Sequence, residues 1–478
     1  MKLRPFLYRI TGSYLVLIFL LCIEGAVSSG WAQAAGTGPI YVPIVLKTDS
    51  NSSGPRVNIP YFAGDIALYE TSIFWMGRVN YFDNYADVRL GYNATYLYVR
   101  VSVFDRRVWF TDSPSPPDLT NWDAIGLLLD LDGNTGNGLD NRSYRFVGQS
   151  RWAGSNVDYQ AAYIGGPSWN LASIPFTTQA YYVSINNPAD DTDDRGWEII
   201  YHIPFSSLGL SGPPTTGTRW GLGIELYDRD SAAGPPLAVK VWPPSMDEQR
   251  SSTWGQLSFG LPTYTPPPSA PGGTITVRQG VNGAVVKDAH VGGHTTCGQP
   301  FNPDFFNGWG DANYAGYTQV NIQNQANLGD WPCFSKFYIT FPLNNLPAGK
   351  TIISASLRLY QFGNSDPQQA YDSLIQVFSV NEDWNESTIT WNNAPYAWEN
   401  ISRTWVPVLA TFPGLPGVPS DWDVSAAVAE AYRRGTPLRL VLYSADTPMH
   451  SGKYFYSSDM DIYAQTSRPM LTVQWGTP

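Results

Sequence analysis

Long helices are closed to this chain. Its 478 residues include 44 glycines and 38 prolines, and both residue types interrupt helical hydrogen bonding. Between these breaks, apolar residues recur with a period of two. In Tyr96–Asp105, Leu97, Val99, Val101 and Val103 take one face, and Tyr98, Arg100 and Ser102 take the other. Gly196–Pro204 repeats the pattern with Trp197, Ile199, Tyr201 and Ile203. Further along, it returns in Lys336–Phe341, Ser354–Tyr360, Leu438–Tyr443 and Met470–Trp475. Short alternating strands separated by Gly, Pro and Asn turns predict an all-β chain of sandwiches. One helix is expected, from Asp423 as N-cap through an alanine-rich stretch to Arg433, Arg434 and a stop at Gly435.

Aromatic and charged residues each make up 14% of the chain, and 43% is hydrophobic. That apolar content is enough to build cores and excludes a wholly disordered chain. The formal charge of −11 argues against nucleic acid as a partner, because such proteins cluster Lys and Arg.

The N-terminus reads as a targeting segment. Lys2, Arg4 and Arg9 precede the apolar run Tyr14 to Ile23, and Ala32-Gln33-Ala34 offers a cleavage point before Ala35. Export after cleavage is the expectation, with residues 1–34 as signal peptide; an uncleaved anchor is the alternative. The run is too short to span a bilayer comfortably and nothing later approaches that length, so no transmembrane segment is expected in the mature chain. That chain would keep two cysteines, Cys297 and Cys333. In an oxidising compartment one disulfide between them is the simplest state, and two unpaired core thiols are the alternative.

Residues 35–55 form a polar spacer. A Pro-rich segment, residues 262–273, then divides the remainder into 56–261 and 274–478. Such sequence stays extended and is expected to hold two flanking sandwiches apart.

Within 56–261 an ordered set of motifs stands out: Val88–Asp105, Trp122-Asp123 leading to Leu129-Asp130-Leu131-Asp132, Tyr144-Arg145-Phe146, Gly196–Gly209 and Trp254–Leu257. Together they resemble carbohydrate-binding module family 9 and its DOMON-like relatives. The resemblance implies a β-sandwich, sugar binding and a structural calcium. That family clamps a terminal sugar between two tryptophans; Trp122 lies near the first position and Trp242 is the nearest candidate for the second. Gly126 stands about where the family carries a ligand-contacting glutamate.

The loop from Asp130 to Asp140 reads independently as a calcium loop. Asp130, Asp132, Asn134 and Asp140 supply oxygens while Gly133, Gly136 and Gly138 permit tight turning. The spacing is not that of an EF-hand, and a solvated acidic hairpin is the alternative. A second acidic run, Asp190, Asp191, Asp193 and Asp194, reads as a solvated loop.

The second half carries Lys336–Tyr360, Trp384–Pro395 with its Trp-x-Glu-x-x-x-Thr-Trp segment, Asp423–Ser425, Phe455–Ser458 and Arg468–Val473. This set resembles the DNRLRE domain, carbohydrate-binding module family 96, from Asp288 to the C-terminus. The resemblance implies another β-sandwich and a polysaccharide ligand. Trp384, Glu386 and Trp391 belong to its framework pattern, whereas Trp309 and Trp331 lie in a Gly/Asn-rich loop region and are the better sugar platforms.

Catalytic signatures are missing. The sequence has no Gly-x-Ser-x-Gly elbow, His-Glu-x-x-His pair or phosphate loop. His290, His294 and Cys297 could hold a metal only if Cys297 were free. The expectation is therefore a non-catalytic protein, exported or held at the cell surface, that binds polysaccharide. The alternatives are an envelope component using both sandwiches for protein contacts, and a hydrolase of glycosidic bonds.

Overall fold

The computed structural model describes residues 54–133, 136, 138–151, 159–183, 189–293, 305–325, 328, 334–366, 368–445 and 451–478. The signal segment, Asn134, Cys297, Trp331 and Cys333 lie outside these residues. Three sheets carry the fold. A five-stranded sheet belongs to the first half: Ser72–Asn80, Asp83–Tyr92, Tyr96–Phe104, Gly196–Pro204 and Thr177–Val183. A second is built only from the later half and includes Ala270–Arg278, Met470–Thr477 and Thr351–Asn364. The third, of thirteen strands, runs through both halves.

Alternation fixes which residues enter each core. Val99, Val101 and Val103 face Ile125, Leu127, Leu222 and Ile224 of the long sheet in the first sandwich core. Phe337, Ile339, Leu440 and Leu442 meet Leu357, Leu359, Leu471 and Val473 in the second. The all-β expectation is met. The helix Ser425–Arg434 also forms, with Val424 as the N-cap residue and Gly435 closing it at φ 67°. Asp423 still serves its start, since its Oδ1 accepts the Ser425 N–H at 2.9 Å.

The strand Arg56–Ile59 joins the halves. It runs parallel to Gly255–Phe259, and at Arg56 it also meets Glu399 of the strand Glu399–Val406. Asn58 and Asn400 clasp each other here. The Asn58 N–H donates to Asn400 Oδ1 at 2.7 Å, Asn58 Nδ2 to Asn400 O at 2.9 Å and Asn400 Nδ2 to Asn58 O at 2.8 Å.

The separation expected of the Pro-rich segment is corrected by this packing. Ser52–Pro478 forms one compact unit. The outer face of the five-stranded sheet presents Ile73, Trp75, Tyr85 and Phe104 to Phe334, Tyr338, Phe378 and Tyr443, and all of them are buried in one cluster. Removing that much aromatic surface from water favours docking far more than a short linker can oppose it. The Pro-rich segment itself lies against the second sandwich, where Tyr264 OH donates to Ile352 O at 2.6 Å and the last residues enter the strand Ala270–Arg278.

Candidate functional site

The outer face of the long sheet in the first sandwich gathers polar and aromatic groups. In the strand Ser143–Gln149, Tyr144 and Phe146 turn into the core, so Arg145 between them turns outward. In Arg219–Tyr227, Ile224 and Leu226 turn inward, so Glu225 and Tyr227 share the outer face. Arg145 Nε donates to Glu225 Oε2 at 2.9 Å, Arg145 Nη2 also donates to Tyr227 OH, and Tyr227 OH donates to Glu225 Oε2 at 3.0 Å. Half-exposed Tyr163 lies beside them, its ring centroid 5.7 Å from the guanidinium. Trp169, partly exposed, stacks on Trp254 with centroids 6.3 Å apart.

Gly126 makes room for this cluster. It pairs with Glu225 across the ladder, and a Cβ there would collide with Glu225 Oε2. A glutamate at position 126, as the family resemblance would have it, cannot coexist with Glu225, which places a carboxylate over that spot. Burial raises Glu225 to about 7 against the pull of Arg145, and the Glu248 carboxylate pushes the same way. A planar cation, a carboxylate and a phenol beside aromatic rings suit a sugar. Hydroxyls take the polar groups and the C–H face of the ring packs on an aromatic.

The tryptophans named from sequence fare differently. Trp242 is 1% exposed and packs on Phe74 with centroids 4.1 Å apart. Trp309 is 2% exposed, against Phe305 and Trp391. Both are core residues and present no face to a ligand, which corrects their reading as sugar platforms. Trp122 remains partly exposed, but the Arg229 guanidinium lies 4.6 Å above its ring. In the second half, Trp384 and Trp391 are buried, in keeping with a framework role.

Among the described residues, three groups of acidic side chains could hold a cation. Asp130, Asp132 and Asp140 of the expected calcium loop do come together, with oxygens within 4.8 Å of one another. Arg142 pairs with Asp132 at 3.0 Å and offsets some of that charge. In the run at 190–194, Asp193 pairs with Arg106 and Arg107, and Asp194 Oδ2 accepts the Val108 N–H at 2.9 Å. His290 is buried and stacks on Tyr314 at 4.4 Å.

A second group, Asp105, Asp123 and Asp228, escaped the sequence reading. All three are buried, and their carboxylates also converge within 4.8 Å. Asp105 ends the strand Tyr96–Phe104, Asp123 precedes Ala124–Asp130 and Asp228 follows Arg219–Tyr227. An aspartate directly flanking an apolar strand three times over was the available signal. Burial raises all three above the carboxylate range, Asp228 to about 6, and Asp105 and Asp228 each feel a neighbouring carboxylate. Backbone N–H groups of Arg107, Trp109 and Arg229 and the Trp197 indole serve Asp105 and Asp123; Asp228 Oδ2 pairs with Lys240 Nζ at 3.5 Å, whereas its Oδ1 is buried with no hydrogen-bond partner. An all-oxygen donor set with an orphaned carboxylate oxygen fits a hard cation such as calcium.

Residues 307–461 match carbohydrate-binding module family 96. Among solved structures, the chain is similar to a carbohydrate-binding module family 9 from Caldicellulosiruptor kristjanssonii in complex with cellotriose. The two are 16% identical, the match covers 44% of this chain and 95% of that one, and the TM-score is 0.32. A module from the same organism in complex with glucose is 14% identical over 44% of this chain and 100% of that one, with a TM-score of 0.31. No curated protein sequence matches the chain. The families these matches name are the two that the sequence motifs resemble.

Proposed function

We propose that this protein binds polysaccharide outside the cytoplasm without cleaving it. The observation that carries the reading is the match of residues 307–461 to a carbohydrate-binding family. The first sandwich adds the chemistry: the Arg145–Glu225–Tyr227 network beside Tyr163 offers paired donors and acceptors next to an aromatic ring. Calcium, held by Asp105, Asp123 and Asp228, would neutralise three buried carboxylates and brace the strand ends that frame this sandwich. Export rests on the N-terminal pattern of Lys2, Arg4, Arg9 and the following apolar run. Among the described residues no helix is long and apolar enough to cross a membrane.

The test is affinity electrophoresis and pull-down against a panel of soluble and insoluble plant, algal and bacterial polysaccharides, with and without EDTA. Retention on at least one glycan is expected, weakened at least ten-fold in Tyr163→Ala or Arg145→Ala proteins that keep the wild-type circular dichroism. Absence of retention on every glycan overturns the binding reading. Release of reducing sugar by the purified protein overturns its non-catalytic part.

A further inference from the structure

At the opposite end of the thirteen-stranded sheet from the Arg145 cluster, the second sandwich brings together Asp288, Glu386 and Asp459. Asp288 sits on the strand Lys287–Gly292, Glu386 in the Trp-x-Glu loop, and Asp459 after the strand Lys453–Tyr456. One oxygen from each lies within 4.8 Å of the others. Oxygens bound to one calcium at about 2.3–2.6 Å can stand up to about 5 Å apart, so a single ion can reach all three.

Glu386 and Asp459 face each other, and the partners around Asp288 leave one of its oxygens unmet. Asp288 is 1% exposed; its Oδ2 accepts the Ser458 N–H at 2.7 Å, while its Oδ1 is buried with no hydrogen-bond partner. Among the described residues, no salt bridge engages any of the three. Lys287 is taken: its Nζ pairs with Asp383 at 2.8 Å, donates to Trp384 O and lies 4.9 Å over the Trp384 ring. Arg468 donates to Met460 O at 2.7 Å and Gln279 O at 3.0 Å. Burial raises Asp288 well above the usual aspartate value, raises Asp459 from its ordinary value and lifts Glu386 to about 7, with the Asp459 charge adding to the last. A buried carboxylate oxygen with no donor is costly unless a cation or a proton meets it.

We propose that Asp288, Glu386 and Asp459 form a calcium site that ties the strand Lys287–Gly292 of the second sandwich to the Trp-x-Glu loop and to the loop after Tyr456. The consequence reaches the junction of the halves. The loop that carries Glu386 also carries Asn392, whose Oδ1 accepts the Val79 N–H at 2.8 Å and whose Nδ2 donates to Val79 O at 3.1 Å. An ion here therefore steadies a contact made with the first sandwich.

Calcium alone is the probe, and the full chain is used because the two halves share a core. Equilibrium dialysis with radioactive calcium gives the number of ions bound, and thermal unfolding with calcium or EDTA gives their effect. Glu386→Gln, at a partly exposed position, is expected to bind one calcium fewer than the wild type and to show a smaller chelator-induced drop in melting temperature. Asp288→Asn is expected to show the same loss if it folds, and the Gln variant decides the matter if it does not. An unchanged stoichiometry in folded Glu386→Gln overturns the proposal, as does a wild-type protein that binds no calcium. Loss of glycan binding with calcium stoichiometry intact would count against the sugar reading and leave this one standing.

Discussion

Glu225 ties the stability of the first sandwich to pH. It is buried beside Arg145 and is raised from 4.5 to about 7. A carboxyl whose folded value lies above its unfolded one holds its proton more tightly in the folded state. Its contribution is fully present below about pH 4.5 and is lost as pH rises through about 7. The loss is on the order of 3 kcal/mol. Urea midpoints of the wild type are therefore expected to gain less, or fall more, between pH 5 and 8 than those of Glu225→Gln. Parallel profiles for the two proteins would show that the carboxyl is ionised throughout. At this scale the sequence is legible only in part. Arg145 and Glu225 could be placed outward because each sits between two apolar residues of an alternating strand. The tryptophans could not be sorted the same way. Trp242 and Trp309 lie in turn-rich stretches with no clear alternation, and a large ring with one N–H suits a core as well as a platform.

Among the elements, the four-residue strand Arg56–Ile59 has a role beyond its length. Its parallel partner Gly255–Phe259 holds it in the first sandwich, and the Arg56 N–H reaches Trp398 O at 2.7 Å in the second. Asn400 then satisfies both the N–H and the C=O of Asn58, and its Nδ2 also donates to Ser72 Oγ at 3.0 Å. Asn400→Ala removes the partner of the buried Asn58 N–H and one of two donors to its C=O, which keeps the Ser72 hydroxyl at 2.6 Å. A loss of about 3 kcal/mol in urea unfolding is expected, with faster hydrogen exchange at residues 56–59. A loss below about 1 kcal/mol would mean that water replaces the amide. No pattern in Arg-Val-Asn-Ile announces this strand. Four residues are too few for periodicity to speak, and the partner lies more than three hundred positions away. The longer strands were legible because their own alternation carries the signal: Gly196–Pro204 matches its sequence-derived limits, and Leu438–Ser444 differs by one residue.

In the molecule as a whole, the strand Asp83–Tyr92 shows what a Pro-rich break at residues 262–273 could not reveal. Its polar residues alternate with Ala86, Val88 and Leu90, so Asp87 and Arg89 read as a solvent face. They are buried instead, because the second sandwich covers them and supplies their partners. Tyr443 OH donates to Asp87 at 3.0 Å, Asn324 Nδ2 donates to it at 3.2 Å, and Arg89 Nη2 donates to Gln325 O at 3.3 Å. Beside them Lys336, also buried, donates to Tyr85 OH at 2.7 Å with its ammonium 3.3 Å from the Trp391 ring centroid. Polar residues that look solvated in one half are thus completed by the other, and single-sequence patterning has no access to that complement. Two halves joined this way should unfold together. Calorimetry of the full chain is expected to show one transition, with the calorimetric and van't Hoff enthalpies in agreement. Residues 54–261 and 262–478 made separately would each expose part of the shared aromatic cluster around Trp75 and Tyr443. Each is expected to bind a hydrophobic dye and to lose that binding when the two are mixed. Two well-separated transitions in the full chain, or soluble halves that ignore each other, would mean that the shared core contributes little to stability.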